Sequence, residues 1–241
     1  MSGHSKWHNI QKTKGAQDAK RAKIFTKYAR EMAIAIRESG ADPNANSKLA
    51  AIIARAKSEN VPNDNISRTL QKYQSGAAAE NYEYINYEGY GPAGIAVIAE
   101  CLTDNRNRTV ADVRHYFDKY GGNLGAAGCV SWQFDRKGVI VIDAEDQDEE
   151  AAMMKALEAG ATDFDSDGEV FEVYTDPDEF ENVKNTLSNH GFNFLEAQVE
   201  MVPQTYMKLS SEDDIKNMNK LLEMMEENDD VQNVWHNWDQ E

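Results

Sequence analysis

Between residues 139 and 202 the hydrophobic spacing switches repeatedly between the two regular periods, and the order in which it does so admits few folds. Val139 to Ile142 is a short apolar run, and Glu149 to Ala159 has helical spacing. Thr162 to Phe164 and Val170 to Tyr174 read as strands, Glu179 to His190 is helical again, and Phe194 to Val202 is a last strand. Strand, helix, strand, strand, helix, strand is the ferredoxin-like order, in which two helices cover one face of an antiparallel sheet. Asp167-Gly168 suits the tight turn between the two central strands. Asp163, Asp165 and Asp167 imitate the opening of a calcium loop, but the twelfth position, where a bidentate Glu is required, is Tyr174.

The sequence on either side is incomplete by itself. Tyr82 to Glu88 alternates, Ile95 to Leu102 is apolar, Thr109 to Tyr120 is helical through Val110, Val113, Tyr116 and Phe117, and Val130 to Phe134 is a further predicted strand. After Pro203 come one helix, Glu212 to Glu227, and one strand, Val231 to Trp238. These last two elements complete a second sheet of the same kind. The expected organisation is therefore a discontinuous α/β domain of residues 80–136 plus 204–241, with 137–203 inserted into it as a ferredoxin-like α/β domain.

Residues 1–79 are of a different kind, all helical and basic. From Asp18 to Ser39 the apolar stripe Phe25, Tyr28, Met32, Ile36 lies beside the cationic stripe Lys20, Lys23, Lys27, Arg30, Arg37. Gly40 and Pro43 end that helix, and Asn44 or Asn46 is placed to cap the next, with Leu49, Ile52, Ile53 and Ala56 inward. Val61-Pro62-Asn63-Asp64 breaks the second helix before a third, with Ile66, Leu70 and Tyr73 inward and Arg68 and Lys72 outward. Three short helices bury too little to stand alone, so this domain is expected to lean on the rest of the chain. Ser75-Gly76-Ala77-Ala78-Ala79-Glu80 reads as the junction. The fold class is α+β in three domains: an N-terminal three-helix domain and two ferredoxin-like α/β domains, the last inserted into the middle one.

Charge divides along the same line. Of a formal net charge of −17, residues 1–75 hold 14 Lys and Arg against 6 acids, or +8, and residues 76–241 hold 11 against 36, or −25. At a Debye length of about 8 Å, a distant acidic domain disturbs a basic patch only weakly. The expected partner is a polyanion, DNA or RNA. Candidate contacts are Lys6, Lys12, Lys14, Lys20, Arg21, Lys23, Lys27 and Arg30, with Trp7, flanked by His4 and His8, able to stack on bases. Arg106 and Arg108 join them, because two cations at a helix start oppose the macrodipole and ask for an anion there. Asp104 is a competing neutraliser, and Asp104, Asn105 or Asn107 is placed to cap that helix. The alternative is that the basic face packs on the acidic domains of its own chain. Lys23, Lys27 and Arg30 would then serve stability.

Other chemistries find little support. Gly89-Tyr90-Gly91-Pro92-Ala93-Gly94 fits the dinucleotide spacing but precedes a strand, where that motif needs a helix. The glycine-rich run 121–128 reads as a loop between helix and strand. No nucleophile or phosphate-loop motif is present, the five His show no paired ligand spacing, and Cys101 and Cys129 read as reduced thiols. No apolar run reaches the ~18 residues of a membrane span. The expectation is a cytoplasmic protein that is not an enzyme, with no cofactor, no metal and no membrane.

Several long segments are familiar: GHSKWHNIQ, AQDAKRAKIFTKYAREM, VPNDNI, YEGYGPAGIAVIAECLTDNRNRTVADVR and GGNLGAAGCVSWQFDRKG. Together they resemble the YebC family of bacterial proteins, and the likeness runs over most of the chain. The resemblance implies the same three-domain architecture. It also implies DNA-binding transcriptional regulation, or a ribosome-associated role in translation like that of the mitochondrial relatives. Ala22 departs from the Gly common in that stretch and only adds helix propensity.

Overall fold

The computed structural model describes residues 17–74 and 81–240, with the side chains of the first helix described from Lys23 onward. The junction predicted at 75–80 lies outside these. The described residues form two compact units, one of 17–74, 81–129 and 211–234, the other of 130–210 and 235–240.

In the first unit α1 (Gln17–Ser39), α2 (Ser47–Ser58) and α3 (Asn63–Gln74) pack around Tyr28, Met32, Ala35, Ile36, Leu49, Ile52, Ala56, Val61 and Ile66. These are the apolar stripes expected from spacing. Of the two asparagines placed to cap α2, Asn46 does so, accepting from the Leu49 amide at 3.0 Å. Its Nδ2 donates to the carbonyls of Ala35 and Gly40, both at 2.8 Å. One buried amide thus satisfies groups at the end of one helix and the start of the next.

The same unit holds β1 (Glu83–Tyr90), β2 (Ala96–Thr103), α4 (Arg106–Lys119), β3 (Asn123–Leu124), α7 (Glu212–Glu227) and the first four residues of β9 (Val231–His236), its sheet ordered β3-β1-β2-β9. The two-residue β3 sits inside the glycine-rich run read as a loop. It reaches β1 because Gly89 has no side chain, and a Cβ there would lie 2.5 Å from the Asn123 carbonyl oxygen.

The second unit contains β4 (Phe134–Asp143), α5 (Glu149–Ala159), β5 (Asp163–Ser166), β6 (Val170–Thr175), α6 (Phe180–Asn189) and β7 (Phe194–Pro203), ordered β5-β6-β4-β7. This is the ferredoxin-like threading read from the sequence. Ile140, Ile142, Phe171 and Val173 meet Ala152, Ala156, Val183 and Leu187 of the helices. A parallel ribbon of β8 (Met207–Lys208) and β10 (Trp238–Asp239) completes the unit. The strand predicted at Val130 to Phe134 is not formed. Ser131–Gln133 is a 3-10 turn, closed by the Gln133 amide on the Val130 carbonyl at 2.9 Å. Phe134 instead opens a single long β4, because β7 is long enough to pair it from Phe134 opposite Pro203 through to Ile142 opposite Phe194.

Gly138 lets α6 approach β4 closely. A Cβ there would lie 2.2 Å from the Thr175 hydroxyl and 2.7 Å from the Phe180 ring. Gly138→Ala is expected to destabilise the protein by about 1–3 kcal/mol, read as a lowered midpoint in urea unfolding. An unchanged midpoint would show that α6 yields freely.

Candidate nucleic-acid interface

The cationic stripe of α1 is built by helical spacing, but much of it does not face solvent. The Arg30 guanidinium, 12% exposed, donates through Nη1 to Asp230 at 2.7 Å and to the carbonyls of Leu102 at 2.8 Å and Asp229 at 2.7 Å. It also lies 5.3 Å from the Tyr82 ring centroid. Lys27 donates to the Gln232 carbonyl at 3.3 Å and to Asn233 Oδ1 at 3.0 Å. Burial pulls the Lys23 ammonium down to about 8, against the opposing pull of Glu226 and Asp229. Two of the predicted contacts, Lys27 and Arg30, therefore hold α1 against β2, β9 and the segment that enters β9. Of the two roles weighed for them, the geometry favours stability.

Asp230 is the centre of this arrangement. Besides Arg30 it receives Arg108 Nη2 at 2.8 Å, Arg108 Nε at 3.2 Å, and the hydroxyls of Thr109 at 2.7 Å and Thr103 at 3.2 Å. Burial pushes its carboxyl up, but the hydrogen bonds from Arg108, Thr109 and Arg30 outweigh it and hold the group below the usual carboxylate value. Its own bonds to Asp230, with that to Asp104 Oδ1 at 2.9 Å, push the Arg108 guanidinium up. For Arg108 an anion at the start of α4 is thus supplied from within the chain, by Asp230 and by Asp104, the competing neutraliser. Asn105 caps this helix, accepting from the Arg108 amide at 3.1 Å. Arg106 stays open, 61% exposed, with Glu83 at 3.7 Å.

Lys6, Trp7, Lys12 and Lys14 lie outside the described residues, as do the side chains of Lys20 and Arg21. Further exposed cations lie on α2 and α3. Lys57 and Arg68 are exposed and make no ion pair with a described residue, and Lys72 is exposed with its ammonium 5.2 Å from the Tyr73 ring centroid. Arg55 is less free, held to buried Glu31 at 2.5 Å, and Lys48 pairs with Glu38 at 2.7 Å. The candidate set drawn from the sequence omitted Lys57, Arg68 and Lys72. Their outward placement was readable from the spacing, but the denser stripe of α1 drew the assignment.

Burial pushes the Cys101 thiol up to about 12, and the Cys129 thiol is raised by the same cause. Neither has the lowered pKa of a nucleophilic thiolate. Among the described residues no three His, Cys, Asp or Glu come together to hold a metal ion, and no helix is long and apolar enough to cross a membrane.

A basic three-helix domain clamped to a mixed sheet by half-buried cations, together with a ferredoxin-like unit, defines a multi-domain α+β protein. Residues 5–76 match the model of the TACO1/YebC protein N-terminal domain, and residues 82–238 match that of the TACO1/YebC second and third domain. The chain belongs to the TACO1/YebC family. It is 56% identical over 242 residues to a "Probable transcriptional regulatory protein" of Ruminiclostridium cellulolyticum, covering 100% of this chain and 98% of the relative. A protein of the same description from Finegoldia magna is 52% identical, with 100% of both chains covered. The crystal structure of a conserved hypothetical protein from Aquifex aeolicus superposes with a TM-score of 0.83 at 42% identity, covering 97% of this chain and 96% of the other.

Because the folded pKa of Asp230 is lowered, its contribution to stability is complete above about pH 4, the ordinary carboxylate value, and is lost as pH falls through the folded value. Asp230→Asn is expected to cost about 3 kcal/mol at pH 7, as removing one partner of a buried ion pair does. The gap from the parent should close below pH 4. Urea titrations of both proteins across that range check this, and a gap independent of pH would contradict it.

Proposed function

We propose that this protein is a nucleic-acid-binding regulator of transcription that grips DNA phosphates with its basic N-terminal helical domain. The observation that carries this reading is the charge of +8 on residues 1–75 of a chain whose net charge is −17. The structure supports it by leaving Lys57, Arg68 and Lys72 exposed on α2 and α3. Proposed contacts are these three, Arg106, and the leading residues Lys6, Trp7, Lys12, Lys14, Lys20 and Arg21. Lys27 and Arg30 hold the domain in place, and Arg108 secures the Asp230 carboxylate that receives Arg30. The working division is a DNA-facing domain of 1–79, the discontinuous domain of 80–136 plus 204–241, and the insertion of 137–203. The role requires no catalysis and no cofactor. Phosphate contacts fix position without reading sequence, so target choice on this reading rests on the shape and deformability of the duplex.

A second reading, a ribosome-associated translation factor, uses the same cations on ribosomal RNA. Trp7 with His4 and His8 favours it, since unpaired bases stack on such side chains. Sedimentation of cell extract at low salt separates the two, and absence from ribosomal fractions removes the second.

Anisotropy titrations of a labelled duplex test the first. With about four to six cations engaged, log affinity should fall against log salt with a slope of roughly −4 to −5. Reversing Lys57, Arg68 and Lys72 to Glu should make that slope shallower by about 2 to 3. Lys27→Met with Arg30→Met should lower the melting temperature and leave the slope unchanged. A flat salt dependence in the parent would overturn the reading.

A further inference from the structure

Helix α5 of the second unit is amphipathic the wrong way round. It buries Ala152, Ala156 and Ala159 against the sheet, and it exposes Met153 (38%), Met154 (55%) and Leu157 (51%). Three of the seven large apolar side chains exposed among the described residues therefore sit on this one helix. The alanines have an internal reason, since small side chains let α5 lie close over Ile140, Ile142 and Phe171. The outward methionines and leucine have none. They are not members of the core and weaken the amphipathic pattern that would otherwise favour the helix.

The surround of this patch indicates what covers it. Residues 145–159 contain Glu145, Asp146, Asp148, Glu149, Glu150 and Glu158 against a single cation, Lys155. Lys155 lies with its ammonium 5.2 Å from the Phe192 ring centroid, on the side of the helix that faces α6. At 100° per residue, Glu150 falls between Met153, Leu157 and Met154 on the outward face, and Glu158 borders them. An apolar strip of adaptable methionines rimmed by carboxylates is complementary to a helix or strand that carries apolar anchors flanked by Lys and Arg. The chain's own basic amphipathic helix is not that element, because the apolar face of α1, through Tyr28 and Met32, is already buried in its own core.

We infer that the outward face of α5 is a docking surface for a basic amphipathic segment of a partner protein. This is independent of the nucleic-acid reading, which rests on other residues. A labelled peptide of Leu and Lys at helical spacing, titrated into the full chain, tests it. Its counterpart with Glu in place of Lys is the charge control. The Lys peptide should bind, and Met154→Ser with Leu157→Ser should weaken it by about tenfold or more, as loss of apolar anchors does. The melting temperature and duplex binding should not change. Leu195→Ser, at an exposed leucine of β7, should leave peptide binding intact. The inference is overturned if the Lys peptide fails to bind, if the Glu peptide binds as well, or if the double variant binds as the parent does. Dimers that the double variant disperses would also overturn it, since the occupant would then be a second copy of this chain.

Discussion

One carboxylate, that of Asp230, holds the first unit together. It lies where α1, the end of β2, the start of α4 and the entry to β9 meet, and it receives hydrogen bonds from two guanidinium groups and two hydroxyls. A buried ion cluster is favourable only when its lone pairs are filled, because desolvation otherwise exceeds the attraction gained. Here both carboxylate oxygens are occupied, Oδ1 by Arg30 and Arg108, Oδ2 by Arg108, Thr103 and Thr109. The backbone takes part as well, with the Leu102 amide donating to the Asp230 carbonyl at 2.7 Å. A helical domain too small to be stable alone thereby acquires a fixed orientation on the sheet.

That clamp redistributes the meaning of the basic segment. Cations that look equivalent along α1 divide into those that satisfy internal acceptors, Lys27 and Arg30, and those elsewhere that remain open, Lys57 and Arg68. The division follows from desolvation. A guanidinium that is 12% exposed and already donates to three oxygens has little to offer a phosphate, whereas a solvated ammonium releases its counterions at small cost. The acidic remainder of the chain is uneven in the same way. Some carboxylates are consumed internally, Asp230 and Glu31 among them, while those around α5 stay at the surface.

The two sheets share one spatial plan reached by two routes. In the second unit the order β5-β6-β4-β7 arises from βαββαβ threading, as the hydrophobic periods alone indicate. In the first, β2, α4 and β3 occupy the places of β4, α5 and β5, and α7 with β9 those of α6 with β7. The strand that would come third, β1, is instead supplied first, as a hairpin with β2. Periodicity located each of the major strands and helices, yet it is blind to which strands become neighbours, because pairing depends on contacts distant in sequence. The false strand at Val130 to Phe134 and the missed β3 have one origin. A short segment with few local signals takes whatever conformation its partner strand permits.

From the order of residues alone came the helical stripes, the βαββαβ unit, the caps at Asn46 and Asn105 as one choice among two or three, and the charge polarity. All of these are properties of neighbours along the chain. Which cations are free was decided only in three dimensions, since Arg30 and Asp230 are far apart in sequence and meet only when β9 joins β2. The exposed face of α5 belongs to the same class. Its methionines carry no mark of exposure until the sheet has chosen the alanine side, and that choice rests on the close packing that small side chains allow.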